Sequence, residues 1–187
     1  MQREGKMSHI SLAGIFPPIP TPFDARGEVA YDRLAGNVER WCRTPVAGLL
    51  PLGSNGECPY LTDEEKIRVL ETVRAAMPPG KLLLAGTGLE STYATIKLVE
   101  RLAVIGADAA MVITPSYFKS RMDGAALRRH YTEVADRSPI PIIIYNIPAN
   151  TGVFRNMTQI RFRHPVWVPE NCTSCRDFGN GLASLCK

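Results

Sequence analysis

The strongest constraint on this chain is a regular alternation of two kinds of segment. Apolar runs at 13–20, 46–52, 81–85, 109–114 and 140–144, the last of them β-branched, read as buried strands. Between them, apolar residues recur at helical spacing: Leu34, Val38 and Trp41; Ile67, Leu70, Val73 and Met77; Ile96, Val99 and Leu102; Leu127, Tyr131 and Val134. The punctuation agrees with that division. Thr62-Asp63-Glu64-Glu65 is a capping box, Pro78-Pro79-Gly80 a stop, Ser91 an N-cap and Gly106 a helix end. Strand and helix alternating with short links imply an α/β fold with a parallel sheet. Five units of about 30 residues fit an open doubly wound sheet or part of a (β/α)8 barrel, which in full takes about 250 residues. This chain has 187.

From Phe154 the periodicity fails, and Pro165, Pro169, Asn171, Gly179, Asn180 and Gly181 scatter breakers through the remainder. The expected organisation is a leader over 1–12, an α/β body over 13–153, and an irregular, disordered tail over 154–187. Charge follows the same division. Residues 1–153 carry 17 Lys+Arg against 16 Asp+Glu, and 154–187 carry 5 against 2, so the basic excess belongs to the tail. A nearly neutral body has no nucleic-acid footprint. No apolar run approaches the ~20 residues of a membrane span. Residues 1–12 contain no signal-length apolar stretch and no import helix.

Chemistry is expected where strands end. Thr21-Pro22-Phe23, Gly53-Ser54-Asn55-Gly56-Glu57, Thr114-Pro115-Ser116-Tyr117 and Tyr145-Asn146-Ile147-Pro148-Ala149-Asn150-Thr151-Gly152 all follow strands, so their loops share the carboxyl edge of the sheet. Between its glycines, the Ser54-Asn55 turn can present N–H groups to a carboxylate or phosphate; the same residues also make plain polar turns. Gly86-Thr87-Gly88 invites a dinucleotide reading, but the third glycine position holds Ser91, so that reading is set aside. Cys172, Cys175, Cys186 and His164 lack the second paired ligand set of a zinc site, and no metal or cofactor is expected. Five cysteines without a framework point to a reducing compartment. His9 and His164 lie outside the body, and His130 is expected to be partly exposed on its helix, so no Ser/His/Asp set forms.

These strand-end motifs, in this order and spacing, resemble the dihydrodipicolinate synthase/N-acetylneuraminate lyase family over residues 13–153. Gly14-Ile15-Phe16-Pro17-Pro18, Glu90-Ser91-Thr92, Met111 to Pro115 and Pro148-Ala149-Asn150-Thr151-Gly152 are most similar to its mitochondrial 4-hydroxy-2-oxoglutarate aldolase branch. Asn150 stands where the synthases carry an arginine, which removes a planar fork for a dicarboxylic partner. The resemblance implies a (β/α)8 barrel of TIM type, here incomplete, and class I aldolase chemistry. In it a lysine forms a Schiff base with a 2-oxo acid, and the imine is the electron sink for carbon–carbon cleavage. It further implies that Tyr145 relays protons and that Ser54 and Asn55 bind the substrate carboxylate. Tyr117 is implied to act across a subunit boundary in a homotetramer.

The family's lysine belongs at the end of a sixth strand, which the tail does not supply. Of Lys6, Lys66, Lys81, Lys97, Lys119 and Lys187, only Lys119 follows a strand at the correct end, in a polar loop. The expectation is therefore an aldolase-like lyase that cleaves 4-hydroxy-2-oxoglutarate to glyoxylate and pyruvate by descent, inactive in this chain for want of the imine-forming amine. The alternative is a non-catalytic subunit that pairs with a full-length aldolase. Localisation is mitochondrial by resemblance, or cytoplasmic on the leader alone. Five strands without closure leave two sheet edges unpaired, so the isolated chain is expected to aggregate, and the tail reads as sequence joined after the fifth strand.

Overall fold

The computed structural model describes residues 10–153 and 166–167, which fall into two compact units. The first unit comprises the chain to Ala85 together with Ile105–Asp108. Its helices are α1 (Tyr31–Cys42) and α2 (Asp63–Ala76), and its sheet residues are β1 (Gly48–Leu49) and β2 (Leu82–Gly86), the last residue of β2 excepted. β1 and β2 run parallel, with Gly48 opposite Leu82 and Leu49 opposite Leu83. Gly48 is required there, because an added Cβ would lie 2.1 Å from the Leu82 carbonyl oxygen. α1 buries Leu34 and Val38, and α2 buries Val69, Leu70 and Val73. Arg68 of α2 caps the α1 ring of Tyr31 at 4.0 Å from its centroid.

The expected strand over 13–20 is reduced to one parallel bridge, Pro18 with Leu50. Prolines explain the loss, since Pro17, Pro18 and Pro20 have no N–H to donate. What remains is a sparse ladder: Ala47 N to Ile15 O, Leu50 N to Pro17 O and Ile19 N to Leu50 O. The buried face of α2 also differs from expectation. Ile67 is only half-buried, while Val69 and Lys66 are buried. The capping box is formed as expected: Thr62 Oγ1 accepts from Glu65 N, and Glu65 Oε2 accepts from Thr62 N at 2.7 Å.

The second unit takes in Gly86–Val104 and the chain from Ala109. It holds α3 (Thr92–Ile105, but for its last residue), β3 (Ala109–Ile113), α4 (Gly124–Arg137), β4 (Ile142–Tyr145), a single helical turn α5 (Pro148–Thr151) and β5 (Val166–Trp167). Ser91 Oγ accepts from Ala94 N and Asp123 Oδ1 from Ala126 N, so α3 and α4 both begin at side-chain caps. β3, β4 and β5 are parallel, in register Ala110–Ile142, Met111–Ile143, Val112–Ile144 and Ile113–Tyr145, with Ile142–Val166 and Ile143–Trp167 beyond. The two-residue side-chain period then sorts the strands. Ala110, Val112, Ile142 and Ile144 join Ile96, Val99, Leu127, Tyr131 and Val134 in one core. Met111, Ile113, Ile143 and Tyr145 fall on the other face.

β5 departs from expectation. Its two residues lie in the stretch read as an irregular tail, and they pair with the edge of β4 that was expected to be open. Two β-favouring residues between Pro165 and Pro169 are too few for any periodicity to register. The leader and the rest of the tail, including His164, Cys172, Cys175 and Cys186, lie outside the described residues. Among the described residues no helix is long and apolar enough to cross a membrane.

Candidate functional site

In the first unit the Ser54-Asn55 turn is built on backbone strain. Leu52 at φ 61° and Glu57 at φ 53° are the described non-glycine residues with positive φ, and they bracket it on both sides. Such strain costs on the order of 1–3 kcal/mol per residue and gathers at functional sites. The glycines serve differently from the sequence expectation. Gly53 is extended, at φ −79°, and Gly56 is needed for space, because a Cβ there would lie 3.1 Å from Ile19 O. Thr21, itself buried, donates its hydroxyl to Gly56 O at 2.7 Å and pins the turn from the first strand-end loop. Ser54 and Asn55 are exposed and open a 3-10 turn, so their N–H groups precede its internal ladder. An acceptor such as a carboxylate fits that geometry.

Cys58 follows directly, buried, and burial raises its thiol pKa above the ordinary value. Lys66 is also buried, and its ammonium pairs with the exposed Asp63 at 3.0 Å. Lys81 donates to the carbonyls of Thr44 at 3.1 Å and Val46 at 2.6 Å, at the entry of β2.

In the second unit Tyr145 ends β4, half-buried, on the face opposite the helical core. Its carbonyl accepts from Thr114 N at 3.2 Å, which ties the exits of β3 and β4 together. Thr114 Oγ1 in turn lies 3.1 Å from the Tyr131 hydroxyl inside the core. Burial pushes the Tyr131 phenol well above its ordinary pKa, so it is a protonated anchor rather than an acid. Tyr117 is 76% exposed and edge-on to Phe118, with 4.9 Å between ring centroids.

The Tyr117 loop has an anchor that sequence reasoning did not assign. Glu90 Oε2 accepts from Ser116 N and Tyr117 N, each at 2.8 Å, and its Oε1 lies 3.2 Å from Ser116 Oγ. One carboxylate thus holds two consecutive amides. Glu90 is 26 residues from Ser116, and only the strand–helix repeat that brings both to one sheet edge could have hinted at the pairing. Gly88 is likewise explained by space: a Cβ would sit 2.3 Å from Ile113 N, so the glycine serves close strand approach rather than phosphate binding.

His130 is buried, not partly exposed, and this corrects the sequence expectation. Its Nδ1 lies 2.9 Å from Thr92 Oγ1, its ring is edge-on to Tyr131, and its Nε2 has no partner. Desolvation lowers its pKa to about 4, against the opposing pull of Glu133 and Glu90. Lys97 is held by Glu100 on α3 at 2.6 Å, and Lys119 is exposed in the turn after β3. No group of three or more His, Cys, Asp or Glu among the described residues could hold a metal ion.

Parallel strands alternating with helices, with a strained turn after β1 in the first unit and a half-buried tyrosine ending β4 in the second, define an α/β protein. The chain belongs to the dihydrodipicolinate synthetase family, whose model matches residues 11–162. It is 41% identical over 140 residues to a 4-hydroxy-tetrahydrodipicolinate synthase of Methanothrix thermoacetophila, covering 75% of this chain and 46% of that protein. Among solved structures it is similar to the dihydrodipicolinate synthase of Aquifex aeolicus, with TM-score 0.70 and 35% identity, covering 74% of this chain and 46% of that one. It is also similar to the enzyme of Acinetobacter baumannii complexed with pyruvate, with TM-score 0.74 and 28% identity, covering 83% and 55%. The chain spans about half the length of the curated relatives it matches.

Proposed function

We propose that this chain carries the oxo-acid-binding and proton-relay parts of a Schiff-base lyase and forms no imine itself. The observation that carries the reading is the placement of Tyr145: a strand-end phenol on the face away from the helical core, its backbone fixed by Thr114. Pyruvate bound to a relative of known structure supports a 2-oxo acid as ligand. In this reading Ser54 and Asn55 hold the acid's carboxylate. Tyr145 holds and passes the proton that must leave a hydroxyl as the carbon–carbon bond breaks. Tyr117 supplies the relay of a neighbouring subunit in a homo-oligomer.

Imine formation needs an amine that can lose its proton, add to the ketone and expel water. The four described lysines are poorly placed for that step. Lys66 is buried against Asp63, Lys81 is committed to two carbonyls, Lys97 is paired on a helix, and Lys119 is exposed to water. The finer assignment is to the branch that cleaves 4-hydroxy-2-oxoglutarate to glyoxylate and pyruvate. Asn150, exposed where the synthases carry arginine, supports it, and mitochondrial localisation follows from the same branch.

The test is pyruvate titration of the 187-residue chain with and without borohydride. Saturable binding weakened by Ser54→Ala and Asn55→Ala, with no covalent adduct by mass, is the expected result. A reduced adduct overturns the claim that no imine forms, and absence of binding overturns the oxo-acid reading. A second reading, a non-catalytic subunit of a full-length aldolase, rests on the exposed Tyr117–Phe118 pair. Co-purification lost on Tyr117→Ala would favour it.

A further inference from the structure

The loops after β3 and β4 meet at one place that the reading above leaves unused. The Lys119 side chain lies flat across Gly152: an added Cβ at Gly152 would be 3.3 Å from Lys119 Cδ, 3.3 Å from Nζ and 3.5 Å from Cε. Gly152 has φ +65° and donates its N–H to Pro148 O at 2.8 Å, so it closes α5 in a conformation that glycine adopts without strain. The exposed lysine stem therefore runs along the Gly152 backbone. Its ammonium, however, forms no ion pair and donates no hydrogen bond among the described residues. Arg121, two residues on in the same turn, forms no ion pair there either.

A lysine whose stem runs along a backbone and whose charge faces water has part of its ordering cost met before a ligand arrives. That backbone belongs to the loop that Tyr145 opens, seven residues before Gly152, and the exposed Asn150 amide lies on the same loop. Both contributing loops leave carboxyl ends of adjacent parallel strands. A cation there suits an anionic group on the ligand that Tyr145 serves.

We propose that Lys119 is a specificity residue whose ammonium takes the second carboxylate of a dicarboxylic 2-oxo acid. The inference rests on the oxo-acid reading and names the residue that would select a dicarboxylic acid within it. Gly152 is part of the device, because a Cβ there would come within 3.3 Å of the lysine stem and push it aside.

The test compares the affinity of the 187-residue chain for 2-oxoglutarate with that for pyruvate, by calorimetric titration. The wild type is expected to favour the dicarboxylate. Lys119→Met should lower the ratio of the two affinities about fivefold, the scale of one exposed charge pair. Lys119→Arg should restore it, Gly152→Ala should lower it with the charge intact, and 0.5 M salt, chosen to shorten the screening length, should shrink it. Arg121→Met should leave the ratio within twofold. Pyruvate binding with an unchanged ratio in Lys119→Met, or an equal loss in Arg121→Met, overturns the assignment to Lys119 alone. Binding of neither acid by the wild type overturns the oxo-acid reading, and this inference with it.

Discussion

His130 is set to make the fold sensitive to acid in a narrow range. The imidazole is buried with only Thr92 Oγ1 as a hydrogen-bond partner, at 2.9 Å, and its Nε2 has no acceptor for a second proton. Desolvation is the main cause of its lowered pKa, about 4 against 6.5. Above the unfolded value both states hold a neutral ring, and nothing is gained or lost. As pH falls below 6.5 the unfolded chain takes up a proton that the folded one resists, so stability drops. The drop levels off below about pH 4, where the folded state protonates too. Two and a half units at about 1.4 kcal/mol each come to about 3.5 kcal/mol in full, of which about 3 kcal/mol is lost by pH 4, a large share of a domain's stability. Carboxylates titrate in the same interval, so the assay is a difference. Urea midpoints are measured from pH 4 to 7 for the wild type and for His130→Asn, whose short amide can still meet Thr92 but does not titrate. The wild type should lose about 3 kcal/mol more than the variant across that range. Parallel profiles would refute the reasoning, because they would mean that the buried ring is not held neutral.

Other perturbations test single contacts. Thr62→Ala removes the hydroxyl cap of α2 and should cost about 1 kcal/mol in chemical denaturation. Gly88→Ala forces a Cβ to 2.3 Å from Ile113 N and should cost about 3 kcal/mol or prevent folding of the second unit, read as loss of its cooperative transition. Tyr131→Phe leaves the buried Thr114 hydroxyl without its phenol partner and should cost about 1–2 kcal/mol by the same measurement. Glu90→Ala frees the Ser116 and Tyr117 amides, whose hydrogen exchange should quicken by about tenfold or more, while Glu100→Ala, on the far side of α3's start, should not change them.

The order of elements was legible because helix and strand periods differ so plainly here. The spans 31–42, 63–76, 92–105 and 124–137 each fall within a few residues of the stretch that spacing and caps mark out. Where the reading failed, a local rule was overridden by something sequence spacing does not carry. The first strand looked continuous by hydropathy, yet three prolines removed its donors. Ile67 lost its place in the core to Val69, and Lys66 could go inside only because Asp63 meets its ammonium. His130 read as a partly exposed helix residue, but it is buried beside Tyr131, with Thr92 of α3 meeting one ring nitrogen. β5 could not be read at all, because two residues carry no period.

The site shows the same division more sharply. Tyr145 could be placed at its strand's carboxyl end from sequence alone, but Ile142, Ile143 and Ile144 are all apolar, so which face it takes came only from the register. The device around Ser54 and Asn55 could not. Two glycines suggested where the backbone would bend, whereas the left-handed conformations fell on Leu52 and Glu57. That outcome is intelligible once Thr21 is seen to hold Gly56 by its carbonyl: the glycine is fixed against Ile19 by lack of space, so the bend passes to its neighbours. Glu90 follows the same logic at the other loop, where a carboxylate 26 residues away decides how Ser116 and Tyr117 stand. Sequence motifs thus mark the groups that could touch a ligand. The residues that aim them are set by tertiary contacts, and those are where substitutions should alter function without removing any group that meets the ligand.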